Sequence, residues 1–148
     1  MKIYNLKEKL EYIKEVSILE HNEWANNPTI DFENRINRKT AKIKSNLDNK
    51  SFCKLVLLDN DILIGFISIF PIDEYEEYTP WYSTMYVKKE YRGNGYSKIL
   101  NDAILEEAKN RGFKEIYLKT NLVNYYEKFG AVYIKDLDNG EKLYKIRL

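Results

Sequence analysis

"TMYVKKEYRGNGYSKILNDAILEEAKNRGFKEIYLKT", residues 84–120, changes its pattern three times. An apolar run ending at Val87 gives way to a break containing Gly93, Asn94 and Gly95. Ile99, Leu100, Ala103, Ile104 and Ala108 then recur at helical spacing, and Gly112 stands where a left-handed C-cap belongs. "KEIYLKT" resumes a strand pattern. Strand and helix interiors avoid glycine, which has the most backbone freedom to lose on ordering. The break is therefore either an ordinary turn or a loop whose bare amides hold a ligand. A strand entering a helix through such a loop leaves N–H groups pointing outward at the positive end of the helix dipole. That arrangement suits phosphate oxygens, and Arg92 adds a planar fork of donors.

Upstream, Leu6, Leu10, Ile13, Val16, Leu19 and Trp24 approximate one face of a helix over residues 7–25, ended by "NNPT". Phe32, Ile36, Thr40, Ile43 and Leu47 mark a second amphipathic helix with Asp31 as its N-cap. "SFCKLVLL" and "ILIGFISIF" read as an antiparallel hairpin turning at residues 59–61, with Gly65 marking a bulge or a close approach. The acidic loop "PIDEYEEYTP" leads into "WYSTMYV", the fourth strand if residues 2–5 form the first. Downstream, "NLVNYYEKF" reads as a short helix stopped by Gly130, and the chain closes as a hairpin turning at Asn139-Gly140. The order predicts one α+β domain over residues 1–148, a twisted, mixed, mostly antiparallel sheet flanked by helices.

The 148 residues suffice for one domain with its own core, and 44% hydrophobic with 14% aromatic content belongs to a globular chain. Lysine and arginine number 24 against 23 acids, a balance that argues against a nucleic-acid partner. Cys53, the only cysteine, cannot form an internal disulfide and disfavours a cysteine-rich metal site. It shares a strand face with Leu55 and Leu57, which reads as a buried thiol. The N-terminus becomes charged before a long apolar run can build, so no membrane partner and a cytoplasmic location are expected.

Two phosphate-loop patterns fit poorly. A Walker loop needs Gly-Lys-Ser/Thr at the helix start, where Tyr96-Ser97 follows Gly95. The dinucleotide fingerprint needs a third glycine and a βαβ setting. "RGNGYS" instead resembles the R-x-x-G-x-G/A loop of the GCN5-related N-acetyltransferases, the GNAT family, and "YYEKFGA" resembles that family's second signature. The likeness is strongest over residues 79–131, while the element order matches over nearly the whole chain. It implies an enzyme that moves an acetyl group from acetyl-CoA to a primary amine of a small molecule or peptide, by direct attack in a ternary complex. The alternative on the same fold is an acyl-CoA sensor or interaction module without turnover. GNAT-like domains often dimerise, so a homodimer is among the expected states.

The resemblance also implies roles. Met85, Tyr86 and Val87 would offer backbone groups to the pantetheine arm and acetyl carbonyl. Arg92, Gly93, Asn94, Gly95, Tyr96 and Ser97 would surround the pyrophosphate. Tyr126 matches the tyrosine that protonates the departing thiolate in many members, or else packs the small helix. Asn121 and Asn124, on that same helix, would contact the cofactor's arm. Ser97 departs from the usual Gly or Ala and Ala131 from an aromatic, touching loop crowding and packing respectively. Asp73, Glu74, Glu76 and Glu77, interleaved with Tyr75 and Tyr78, either attract a cationic acceptor or form a solvated acidic loop. His21 and Trp24 either touch the acceptor or serve as a surface histidine and a core-edge tryptophan. Trp81, in "TPWYSTMYV", joins the acceptor candidates, and no metal ligands are expected.

Overall fold

The computed structural model describes residues 1–71 and 77–148. Its strands are β1 (Lys2–Asn5), β2 (Cys53–Asp59), β3 (Ile62–Phe70), β4 (Trp81–Val87), β5 (Glu115–Thr120), β6 (Ala131–Asp136) and β7 (Lys142–Arg147). Its α-helices are α1 (Ile13–Trp24), α2 (Phe32–Asn46) and α3 (Tyr96–Asn110). The strands form one sheet in the order β1-β2-β3-β4-β5-β7-β6, antiparallel throughout except where β4 meets β5. This is the α+β architecture expected.

The two-residue period of β2 explains the layers. Cys53, Leu55 and Leu57 join Leu100, Ile104 and Ala108 of α3 in one core cluster. Val56 and Leu58 turn the other way, into a cluster with Ile13, Val16 and Ile43 from α1 and α2. Both faces of the central strands are thus covered, which is why β2 and β3 read as nearly unbroken apolar runs. Gly65 meets both parts of its expectation. The β2–β3 register shifts beside it, and a Cβ there would lie 2.4 Å from the Tyr86 carbonyl oxygen on β4.

Several local expectations are corrected. The first helix begins at Ile13, after 3₁₀ turns at Leu6–Glu8 and Leu10–Tyr12, so Leu10 points to solvent. Asp31 precedes α2 but does not cap it through its side chain. It sits at φ +52°, accepts from Asn34 Nδ2 at 2.8 Å, and pairs with Arg38. The segment before Gly130 is a single 3₁₀ turn, Tyr126–Phe129, and residues 121–125 are irregular chain outside any helix. Among the described residues, no helix is long and apolar enough to cross a membrane.

One feature of the sheet positions the candidate site. β4 and β5 run parallel but share only one register pair, Trp81 with Tyr117, supported by the Tyr117 N–H donating to the Pro80 carbonyl. Beyond that point β4 has a partner on the β3 side alone.

Candidate active site

β4 is irregular on its β3 side too. Phe66 pairs with Tyr86 and Ser68 with Ser83, so two steps along β3 match three along β4, and the ladder skips Thr84 and Met85. Thr84 occupies φ +49°, a left-handed conformation that costs a β-branched residue about 1–3 kcal/mol. Such a bulge turns backbone groups out of the ladder.

A buried polar network holds the bulge. Lys54 of β2 is 4% exposed, and its Nζ lies 2.9 Å from Ser68 Oγ, 3.5 Å from Thr84 Oγ1 and 2.8 Å from Glu20 Oε2 of α1. Ser68 Oγ and Thr84 Oγ1 are themselves hydrogen-bonded. Lys39 of α2 approaches the other Glu20 oxygen at 3.4 Å. Burial raises the Glu20 carboxyl, but Lys54 and Lys39 more than reverse this and hold it below the ordinary carboxylate range. Burial pushes Lys54 down while Glu20 opposes it, and the short contact makes the pair an ammonium on a carboxylate. Sequence reasoning missed this network. Its one signal is a lysine inside "SFCKLVLL", a strand apolar on both sides.

The glycine loop leads from β4 through a 3₁₀ turn (Lys89–Tyr91) into α3. Gly93 at φ +83° and Gly95 at φ +81° take conformations that L side chains rarely adopt, although a Cβ at either would meet nothing within 4 Å. Glycine is thus demanded by backbone geometry, and the space in front of it is open. No side chain caps α3 and its first turn carries no acid, so its N-terminal amides face that space with the helix dipole behind them. Arg92 is anchored, its Nε donating to the Val87 carbonyl at 2.8 Å and its guanidinium lying over the Tyr86 ring. Met85, Tyr86 and Val87 with Arg92, Gly93, Gly95, Tyr96 and Ser97 line one cavity of about 290 Å³. These donors fit a pyrophosphate, and one carboxylate, Glu23 of α1, stands on the same cavity wall.

The exposed Asn94 side chain folds back on its own loop, its Nδ2 donating to the Tyr91 carbonyl at 3.0 Å. Asn121 and Asn124 lie exposed in the irregular segment, Asn124 at φ +61°.

A second cavity, about 320 Å³, occupies the gap between β4 and β5. Thr84 and Met85 line it from β4, Leu118 and Lys119 from β5, with Trp24, Tyr125 and Tyr126. The Tyr126 ring packs edge-on against Tyr82 (6.1 Å) and Tyr125 (4.8 Å). Tyr82 is fixed in turn by its hydroxyl donating to Asn101 Oδ1 at 2.8 Å. Burial, then Tyr125, pushes the Tyr126 phenol above its usual value, so it stays protonated throughout the neutral range.

A third cavity, about 360 Å³, lies on the far side of the bulge and shares Trp24 and Thr84 with the second. His21 lines it, but the expectation of a surface histidine and a core-edge tryptophan is reversed. His21 is 4% exposed and Trp24 is 50% exposed. His21 Nε2 lies 2.8 Å from the Pro28 carbonyl oxygen, which only accepts, so Nε2 carries the proton. Trp81 is corrected as well. It is 1% exposed and packed against Leu137 and Leu143, with no face to offer an acceptor. Asp73, Glu74, Tyr75 and Glu76 lie outside the described residues.

Comparison with known proteins agrees with this geometry. Residues 13–131 match the family model described as the acetyltransferase (GNAT) family. N-alpha-acetyltransferase 30 from Schizosaccharomyces pombe is 37% identical over 89 residues, 55% of this chain. The match spans 59% of that protein's length. Among solved structures, the aminoglycoside 6'-N-acetyltransferase from Enterococcus faecium superposes with a TM-score of 0.73 at 18% identity, over 99% of this chain and 97% of that one. A PaiA N-acetyltransferase from Thermoplasma acidophilum, solved with coenzyme A, gives 0.65 at 24% identity over the full length of both chains. A putative acetyltransferase from Salmonella typhimurium, solved with acetyl-CoA, gives 0.70 at 18% identity over 99% and 93%. The glycine loop, the interrupted β4 and the family match agree: this chain belongs to the acetyltransferase (GNAT) family.

Proposed function

We propose that this protein is an acetyl-CoA-dependent N-acetyltransferase that acetylates a primary amine of a small molecule or peptide by direct attack in a ternary complex. The observation that carries the reading is the continuity of the three cavities. The first and second meet at Met85, and the second and third at Trp24 and Thr84. A donor anchored at the glycine loop and an acceptor entering past Trp24 would thus converge beside Thr84, Met85 and Tyr126.

Acetyl-CoA, when bound, supplies an acetyl group activated as a thioester. The N-terminal amides of α3 and the Arg92 guanidinium bind phosphate oxygens. Backbone at the Thr84–Met85 bulge, released from the ladder, orients the carbonyl and donates to its oxygen as charge develops there. The Tyr126 hydroxyl, as a phenol already protonated at neutral pH and pushed further up by burial, holds a proton for the sulfur. A thiol titrates near 8.5 and a phenol near 10, so this donation counts most while charge is forming on sulfur. The ring walls of Tyr82, Tyr125 and Tyr126 exclude water from the thioester.

Calorimetry with coenzyme A tests the first half of the reading, and micromolar binding is expected. Folded protein that binds nothing at millimolar ligand would overturn it. Thiol release from acetyl-CoA against a panel of amines tests the second half.

A further inference from the structure

The third cavity carries a charge pattern from which we infer that the acceptor bears an anionic group, a carboxylate or phosphate, a few bonds from its amine; this rests on the acetyltransferase reading above. Arg35, Arg38 and Lys39 stand at i, i+3 and i+4 of α2, which places them on one helix face. All three line the cavity that opens at Thr84 and Trp24 onto the reaction centre.

The cations differ in how firmly they are held. Arg35 is fixed in the wall, its fork donating to the carbonyls of Asn26, Asn27 and Ile30 at 2.9–3.2 Å. Lys39 is 3.4 Å from Glu20, a carboxylate that already has the buried Lys54 at 2.8 Å. Its ammonium is therefore in surplus. Arg38 is 3.6 Å from Asp31, with side chains 72% and 48% exposed, and such exposed pairs exchange partners readily. Among the described residues, the cavity wall carries three cations (Arg35, Arg38, Lys39) and one carboxylate (Glu20), which the buried Lys54 already engages, while Asp31 meets Arg38 from outside the wall. A purely cationic amine entering here meets repulsion. An amine with a carboxylate or phosphate finds Arg38 and Lys39 ready to take it.

The pattern also serves the chemistry. Only the neutral amine attacks a thioester, and neighbouring cations disfavour the ammonium form. The wall that receives the anion thus lowers the cost for the nucleophile of giving its proton to water before attack.

The test uses two matched pairs of amines: aspartate against its diamide, and a tetrapeptide beginning Asp-Asp against one beginning Asn-Asn. Thiol release is measured for each at low and high salt. In at least one pair kcat/KM should be ten or more times higher for the carboxylate member, with the margin narrowing in high salt. The pair that shows it distinguishes a small acid from a peptide source. In the Arg38→Gln/Lys39→Gln double variant, with Arg38→Gln alone as a milder second variant, KM should rise for the carboxylate member only. Equal turnover or preference for the amide in both pairs overturns the proposal. So does a loss of coenzyme A affinity in the variants, since the cations would then serve the donor. If none of the four amines turns over, titration of the coenzyme A-loaded protein with both members of each pair reads the preference directly, and its absence overturns the proposal. Coenzyme A binding is measured first. Its failure would remove the enzyme reading and the acceptor class together, whereas binding without acid preference removes only the latter.

Discussion

Tyr126 and Cys53 both have perturbed protons, yet only one lines a cavity of the candidate site. Tyr126 lines the β4–β5 cavity, and burial pushes its phenol up. Tyr126→Phe keeps the ring contacts and removes the proton, so kcat should fall about 100-fold, at the lower end of general-acid effects, while coenzyme A affinity stays within about twofold. Steady-state thiol release paired with calorimetry checks the split. Cys53 is packed between the sheet and α3, where burial pushes its thiol up to about 12. Its ordinary value is near 8.5, so at pH 8 the native thiol stays protonated and shielded. An aromatic disulfide reagent should leave it unmodified in native protein and titrate one thiol per chain after denaturation. That silence is also what lets thiol release from acetyl-CoA be followed with the same reagent.

At the scale of elements, the glycine loop and the β4 bulge are separable devices. Gly95 is at φ +81° with open space before it, so Gly95→Ala meets backbone strain of about 1 kcal/mol without a steric clash. The fold should survive, while the coenzyme A Kd rises about tenfold or more as the loop relaxes away from the geometry that aims its amides. The bulge depends on Lys54. Lys54→Met leaves Glu20 buried with only the longer Lys39 contact and strips Ser68 and Thr84 of a donor. Breaking a buried pair from one side costs about 3–5 kcal/mol, measurable by urea unfolding, and the Lys54→Met/Glu20→Leu double variant should recover most of that loss. Elements with one clean period were legible from sequence: α2, α3 and the β2–β3 hairpin follow their apolar spacing to within a residue or two. The start of α1 was not, because Leu6 and Leu10 match the helical spacing while the backbone there forms 3₁₀ turns. The segment before Gly130 misled for a related reason. A compact cluster of Tyr125, Tyr126 and Phe129 can be built by one 3₁₀ turn as well as by a helix.

Across the whole molecule, the site is assembled from parts far apart in the chain, and that sets what sequence could reveal. The loop from Arg92 to Ser97 is contiguous, so its pattern is local and readable. The third cavity, proposed above as the acceptor side, joins Trp24 of α1, three cations of α2 and Thr84 of β4, and only the fold brings them together. The exchange of environments between His21 and Trp24 follows from which way α1 rolls on the sheet, something one helical period leaves open. The parting of β4 from β5 after a single register pair has a further consequence. The sheet is two half-sheets joined at one end, with a seam that backbone hydrogen bonds leave open and that the proposed donor would fill. Folding and ligand binding are therefore linked: coenzyme A at 100 times its Kd should add about 2.7 kcal/mol and raise the melting temperature by several degrees. Amide exchange should slow on both lips of the seam, in β4 and in β5, although β5 contributes little to the glycine-loop cavity. The protein thus reports occupancy through its own cohesion, so acyl donors can be ranked by melting temperature before any acceptor is known.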